Sequence, residues 1–129
     1  NAALVLQNDF GIQLKNLLQS YGQEGTVITV HNISQVNWQE ISSPKKMALY
    51  RVLQELMTNM KKHSQANQVL VGFQQNENKL QVKYRDNGVG CDIKEKNGLA
   101  NVENRIKAIK GSIIFDTSPK KGFRITLTI

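Results

Sequence analysis

The segment from Ser43 to about His63 constrains the fold of this chain more than any other segment. Its apolar side chains recur at the spacing of one helical face, at Leu49, Val52, Leu53, Leu56 and Met60. Ser43 before Pro44 is a typical helix start, because proline at the first helical position lacks only an amide hydrogen that has no partner there. The pattern therefore predicts a long helix whose apolar stripe packs on a second layer.

The remaining periodic segments predict that this layer is a β-sheet. A shorter helix is predicted from Asp9, as its N-cap, to Ser20, and a third from Gly98 to about Ile109 with Gly111 as its C-cap. Alternating or β-branched segments predict five strands, at Thr26–Ile33, Val69–Gln74, Lys79–Arg85, Ser112–Thr117 and Phe123–Ile129. Turn-prone residues make hairpins of the second with the third strand and the fourth with the fifth. The order predicts an α+β fold, a two-layer α/β sandwich with a mixed, mainly antiparallel sheet and helices on one face.

Length and composition fit one domain with anionic partners. The chain has 129 residues and a formal net charge of +7, which favours phosphates, nucleic acid or acidic surfaces, or describes a solvated lysine-rich exterior. Residues 1–8 are interpreted as the end of a preceding helix or a linker, and 9–129 as the domain. No apolar run is long enough to cross a bilayer, so this fragment is expected to make no membrane contact. The single Cys91 excludes an internal disulfide and favours a cytoplasmic location.

A polar stripe runs beside the apolar one on the long helix. Helical spacing brings Arg51, Glu55, Asn59 and Lys62 within about half a turn of one another. A carboxylate and a carboxamide offer the hard oxygen ligands that Mg²⁺ prefers, and a lysine supplies positive charge to phosphate. The same stripe also describes an ordinary solvated helix face.

Two glycine-containing segments follow the hairpin of the second and third strands. Asp86-Asn87-Gly88-Val89-Gly90 stands at a strand end, where a carboxylate can accept a hydrogen bond from an exocyclic amine and glycines allow close approach. Asn97-Gly98-Leu99 opens a helix, whose free N–H groups suit phosphate. A plain turn and a simple loop-to-helix junction explain the two segments equally well when each is taken alone.

Taken in order, the three segments resemble the N box, G1 box and G2 box of the GHKL ATPase superfamily. The N box would be the helix with Glu55 and Asn59, the G1 box Asp86-x-Gly88-x-Gly90, and the G2 box Gly98-Leu99-x-Asn101-Val102. The Lys62-His63 ending makes the chain most similar to the catalytic ATP-binding domains of sensor histidine kinases. The resemblance spans roughly residues 10–129 and implies a Bergerat-type ATP-binding fold.

The resemblance also implies a role for each matching residue. Glu55 would act at the phosphate end of the site, Asn59 would hold Mg²⁺, and Lys62 and His63 would contact phosphate. Asp86 would read the adenine amino group. The remaining residues implied to line the ATP site are Gly88, Gly90, Gly98 and Leu99, with Thr126 as a water-mediated adenine contact.

The expected function is that of a histidine protein kinase's catalytic domain. It would bind Mg-ATP and donate the γ-phosphate to a histidine on a separate dimerisation domain, upstream of a response regulator. The isolated fragment would lack that histidine, since neither His31 nor His63 resembles a phosphoacceptor. Another GHKL protein, such as an anti-sigma serine kinase, and a degenerate nucleotide-binding or docking module remain alternatives. A nucleic-acid-binding module ranks lower, because aromatics make up only 6% and no nucleic-acid motif is present.

Overall fold

The computed structural model describes residues 9–88, 97–117 and 122–129. The predicted linker at residues 1–8, Gly90 and the stretch between the G1 and G2 boxes up to residue 96 lie outside these ranges. The α-helices and strands in these ranges are α1 (Phe10–Gln19), β1 (Val27–His31), α2 (Ser43–Asn59), β2 (Gln68–Asn76), β3 (Lys79–Asp86), α3 (Asn97–Ala108), β4 (Ser112–Thr117) and β5 (Phe123–Thr128). Two 3₁₀-helices, Ile33–Gln35 and Trp38–Glu40, lie between β1 and α2. No helix in these ranges has the length and apolarity needed to span a membrane.

The strands form one five-stranded sheet in the order β1-β2-β3-β5-β4. β1 runs parallel to β2, and every other neighbouring pair is antiparallel. The β2–β3 hairpin turns at Glu77, which has a positive φ of 54°. The predicted α+β sandwich with a mixed, mainly antiparallel sheet is therefore confirmed, and the parallel β1–β2 pair is its one departure from antiparallel order.

Side-chain alternation assigns one sheet face to the helices. On β3, Leu80, Val82, Tyr84 and Asp86 are buried, whereas the residues between them are exposed or half-buried. The five predicted apolar positions of α2 are all buried, and Met57 joins them. Since successive strand residues point to opposite faces, Asp86 projects toward the helical layer, although it is a charged residue.

Both ends of α2 differ from the prediction. Ser42, not Ser43, is the N-cap, and its hydroxyl accepts a hydrogen bond from the backbone N–H of Lys45 at 3.4 Å. At the other end the α-helix stops at Asn59 and continues as a π-helical turn, Met60–Ser64. Hydrogen bonds in a π-turn reach one residue further than in an α-helix, so the predicted α-helical spacing does not extend to Lys62.

The ends of α1 and α3 also differ from the prediction in how they are capped. Asp9 stands at the N-cap of α1, but it has a positive φ of 75° and its side chain caps no N–H. After α3, Lys110 adopts the left-handed conformation at φ 61°, and the N–H of Gly111 reaches back to the carbonyl of Ile106 at 2.9 Å. This is a Schellman ending in which the predicted cap, Gly111, is one residue beyond the left-handed position.

Candidate functional site

Asp86 is the one buried charged or polar residue in the described part of the chain, with 4% of its surface exposed. The Tyr84 hydroxyl donates to its Oδ2 at 2.8 Å, and the backbone N–H of Gly88 donates to its Oδ1 at 2.9 Å. Burial raises the pKa of Tyr84 far above its usual value, and the negative charge of Asp86 raises it further. The phenol therefore stays protonated and acts as the donor. The result is an oriented carboxylate on the helical side of the sheet.

The turn after Asp86 is tied to the start of β2. The Asn87 side-chain oxygen accepts the backbone N–H groups of Asn67 and Gln68, each at 3.0 Å. Its side-chain nitrogen donates to the Asn67 side-chain oxygen at 2.6 Å. The Asn87 side chain thus provides hydrogen bonds at the end of the β2–β3 pair and fixes the segment that carries Asp86 and Gly88.

Gly122 fixes the same strand end from the other side. Its φ is 83°, in the left-handed region, and a Cβ at this position would overlap the carbonyl oxygen of Asp86. Glycine allows the backbone that enters β5 to lie directly against the end of β3. The sequence pattern did not single out Gly122, because a glycine beside a hairpin turn is ordinary turn composition.

On α2, two polar atoms are buried without a hydrogen-bond partner, Oε2 of Glu55 and Nδ2 of Asn59. The other carboxylate oxygen of Glu55 lies 3.8 Å from Nε of Arg105 on α3. A buried polar group without a partner is costly, about 1–3 kcal/mol, and each one calls for an explanation such as an ordered water, an ion or a catalytic role. The unpartnered Nδ2 of Asn59 is a donor and suits a phosphate oxygen. A hydrated Mg²⁺ would instead be held by the oxygen of the same carboxamide, and the Glu55 carboxylate could accept from its bound water.

The remaining N-box residues lie in the π-turn. Lys62 is exposed, and His63 follows it in the same turn, Met60–Ser64. Asn59 ends the regular α-helix immediately before this turn. The wider turn, and not the α-helical stripe, therefore determines how Lys62 and His63 lie relative to Asn59.

The predicted phosphate-binding residues of the third segment lie at the start of α3. The helix begins at Asn97, so Gly98 is its second residue. Leu99 follows with 2% exposure, so its side chain belongs to the core and only its backbone is suited to a phosphate contact. Within the described ranges, no group of three or more His, Cys, Asp or Glu side chains is arranged to hold a metal ion.

The structure does not bring Thr126 to Asp86. Thr126 pairs with Lys83, whereas Asp86 pairs with Phe123. Phe123 is buried with 5% exposure, and its ring lies edge-on to that of Tyr84 at 6.2 Å between centroids. Because residues of odd separation along a strand point to opposite faces, Thr126 lies on the face away from the Asp86 carboxylate, and Phe123 takes the place predicted for it.

The open face of the sheet carries two hollows of about 530 and 510 Å³. The first lies over β1, β2 and β3 around Gly72. The second lies at the other end of the face, where Arg85 and Arg124 stand side by side in the β3–β5 register, and Asp86 and Asn87 at the end of β3 also line it. This cationic pair is on the opposite side of the sheet from Glu55 and Asn59.

Comparison with known proteins gives a family for the chain. Residues 45–129 match the family described as "Histidine kinase-, DNA gyrase B-, and HSP90-like ATPase". The sensor histidine kinase ComP of Bacillus subtilis (strain 168) is 38% identical over 91 residues, which are 65% of this chain and 12% of that protein. The signal transduction histidine-protein kinase/phosphatase DegS of Brevibacillus brevis is 34% identical over 88 residues, 65% of this chain and 23% of that protein. The chain thus spans less than a quarter of the length of these relatives.

Solved structures support the fold independently. The histidine kinase domain of a blue-light activated histidine kinase from Erythrobacter litoralis superposes with a TM-score of 0.72 at 14% identity, covering 92% of this chain and 58% of that one. The histidine kinase AdeS of Acinetobacter baumannii gives a TM-score of 0.70 at 20% identity, covering 94% of this chain and 64% of that one. At such low identity the likeness establishes the fold alone.

Proposed function

Because this chain belongs to the family of histidine kinase-, DNA gyrase B- and HSP90-like ATPases, we propose that it is the catalytic domain of a sensor histidine kinase. In this proposal it binds Mg-ATP and donates the γ-phosphate to a histidine on a separate dimerisation domain, on the cytoplasmic side where ATP is available. A response regulator receives the phosphate in turn. The names of the relatives support this assignment.

One observation carries the proposal: the buried groups without partners and the oriented carboxylate lie on the same side of the sheet. Oε2 of Glu55 and Nδ2 of Asn59 are the buried side-chain atoms in the described ranges that lack a partner. Asp86 projects toward the same helical layer and is held by two donors. A nucleotide with its base at Asp86 and its phosphates at α2 would provide partners at both places.

The base end of the site follows from the chemistry of the carboxylate. A carboxylate is an acceptor only, so Asp86 can take a hydrogen bond from the amino group of adenine and repels the carbonyl that guanine presents at that position. Gly88 donates its N–H to Asp86, so the backbone of this turn would lie beside the bound base. We propose Gly90 as a further pocket residue on the family resemblance alone.

The phosphate end would use the end of α2 and the start of α3. Asn59 would hold Mg²⁺, Glu55 would orient the hydrated end of the site, and Lys62 and His63 would contact phosphate from the π-turn. The backbone at Gly98 and Leu99 would add free N–H groups at a helix N-terminus. Mg²⁺ would neutralise phosphate charge, and the residues of this chain would orient the γ-phosphate toward the acceptor, since phosphoryl transfer depends chiefly on positioning and electrostatics.

Calorimetric titration with ATP and with GTP, each with Mg²⁺, tests the base pocket. We expect ATP to bind and GTP to bind at least about tenfold more weakly, because a buried acceptor left facing another acceptor costs more than about 1.4 kcal/mol. Asp86→Asn should weaken ATP binding, and Asp116→Asn, which changes an exposed carboxylate on β4, should not. Equal binding of both nucleotides, or of neither, would contradict the assignment.

Phosphotransfer needs a second test, because the chain covers only 12% and 23% of the first two relatives. With labelled ATP, the isolated chain should remain unlabelled and a histidine-containing dimerisation domain added in trans should become labelled. Labelling of a serine-containing partner instead would favour the anti-sigma kinase alternative. Folded protein that binds no nucleotide would favour a docking module.

A further inference from the structure

We propose that Tyr84 is a positioning residue that makes Asp86 selective for a 6-amino purine. The inference rests on the proposed ATP-binding function and adds a second residue to its base pocket. No sequence motif pointed to Tyr84. Its place two residues before Asp86 on β3 puts both side chains on the same face of the sheet.

The geometry commits the Tyr84 hydroxyl to the carboxylate. The hydroxyl lies 2.8 Å from Oδ2 of Asp86, and the N–H of Gly88 lies 2.9 Å from Oδ1. Each carboxylate oxygen therefore has one donor, and each keeps a second lone pair for a ligand. Two donors on different oxygens also fix the rotation of the carboxylate plane, so an incoming amine meets a prepared acceptor.

The phenol ring has little freedom to leave this position. Tyr84 has 2% of its surface exposed, and its ring packs edge-on against Phe123 with an interplanar angle of 65°. The same strand end is closed by Gly122 against the backbone of Asp86. The Tyr84 hydroxyl therefore donates to the Asp86 carboxylate and is not available to donate to a base carbonyl.

This arrangement accounts for selectivity and not only for affinity. While Tyr84 donates to Asp86, a purine with a carbonyl at position 6 would face the Asp86 carboxylate, and the Tyr84 hydroxyl could not turn to donate to that carbonyl. Without the hydroxyl, Asp86 can rotate or bind a water molecule that donates to such a carbonyl. Removal of the Tyr84 hydroxyl should therefore weaken ATP binding and leave binding of a 6-oxo nucleotide nearly unchanged.

The experiment compares ATP with inosine triphosphate, which has a carbonyl in place of the 6-amino group and a hydrogen on N1 in place of a lone pair. Binding of each nucleotide with Mg²⁺ is measured by calorimetry for the parent chain, Tyr84→Phe and a control, Tyr21→Phe. The control also removes a phenol hydrogen bond, the 3.1 Å contact of Tyr21 with Thr58 Oγ1, but away from Asp86. Melting temperatures are recorded for all three.

We expect Tyr84→Phe to lower the ATP affinity about tenfold and the inosine triphosphate affinity less than about twofold, the loss of one charge-assisted hydrogen bond. Tyr21→Phe should preserve the ratio of the two affinities. An unchanged ratio in folded Tyr84→Phe, or an equal loss for both nucleotides, would overturn the inference. Loss of folding would do so too, since the hydroxyl would then serve stability. A parent chain that does not prefer ATP would instead refute the proposed function.

Discussion

Thr58 and Asn59 are neighbours on α2 with opposite hydrogen-bonding situations. The hydroxyl of Thr58 lies 3.1 Å from that of Tyr21, whereas Nδ2 of Asn59 is buried without a partner. A polar group that is buried but unsatisfied destabilises the protein that contains it. At the scale of single residues, the fold therefore gives Nδ2 of Asn59 no hydrogen bond, which supports the proposed contact with a ligand.

This contrast predicts different effects of alanine at the two positions. Thr58→Ala should lower the free energy of unfolding by about 1 kcal/mol, because Tyr21 loses its partner. Asn59→Ala should not lower it, because no hydrogen bond of Nδ2 is lost, and should abolish Mg²⁺-dependent nucleotide binding. Urea unfolding and calorimetry measure the two quantities. If Asn59→Ala destabilised the chain as much as Thr58→Ala, Asn59 would have a structural partner.

Gly122 and Gly25 provide a matched pair for the contact behind Asp86. Both have positive φ, 83° and 87°, but a Cβ at Gly25 would meet nothing within 4 Å, whereas one at Gly122 would overlap the Asp86 carbonyl. Gly25→Ala should lower the free energy of unfolding by about 1 kcal/mol from backbone strain. Gly122→Ala should lower it by about 3 kcal/mol, because overlap is added to strain, and should also weaken ATP binding. If the two variants lost the same free energy of unfolding, the predicted overlap between residue 122 and the Asp86 carbonyl would be wrong.

Site residues could be proposed from the sequence where a motif fixes the spacing, and not where the contact is made in three dimensions. Glu55, Asn59 and Asp86 were singled out from the sequence, and their burial or orientation fits that choice. Tyr84 could have been found from the two-residue period of a strand. Thr126 was predicted near the adenine without regard to this two-residue period, and the β3–β5 register puts it on the face of the sheet opposite the Asp86 carboxylate.

At the scale of elements, the end of α3 offers a test of how helix termination contributes to stability. Lys110 holds a left-handed φ of 61°, which costs about 1 kcal/mol or more in a residue with a Cβ. Lys110→Gly should therefore raise the free energy of unfolding by about 0.5–1 kcal/mol. Lys110→Ala removes the same charge but keeps the Cβ, and should leave stability nearly unchanged. A gain for both variants in urea unfolding would assign the effect to charge.

Elements with a strong period were predicted well, and their ends were not. The apolar stripe of α2 and the alternation of β3 were both read correctly, because burial on one face selects them. No sequence pattern predicts the π-turn Met60–Ser64, since an apolar residue at position 60 fits an α-helical turn as well as a π-helical one. The spacing of Lys62 relative to Asn59 was consequently predicted from the wrong helix geometry.

At the scale of the whole molecule, the sheet separates two chemically different sides. One side holds Glu55, Asn59 and Asp86 among the helices, and the other holds the open-face hollow of about 510 Å³ with Arg85 and Arg124. The net charge of +7 attracts an anionic nucleotide to either side. Charge alone therefore favours an anionic partner, but it indicates neither a nucleotide nor the side on which one would bind.

The double variant Arg85→Gln with Arg124→Gln decides between the two sides. The arginines are cross-strand neighbours, and Arg124 also stands opposite Asp116 on β4. The variant removes one like-charge pair and one opposite-charge pair, so the free energy of unfolding should change little. Since exposed charges are screened beyond about 8 Å at physiological salt, ATP affinity should change by less than about threefold. Calorimetry at 0.05 and 0.15 M salt measures this, and Asn59→Ala is the reciprocal control. A large loss in the arginine variant with normal binding in Asn59→Ala would move the nucleotide to the open face and refute the site on α2.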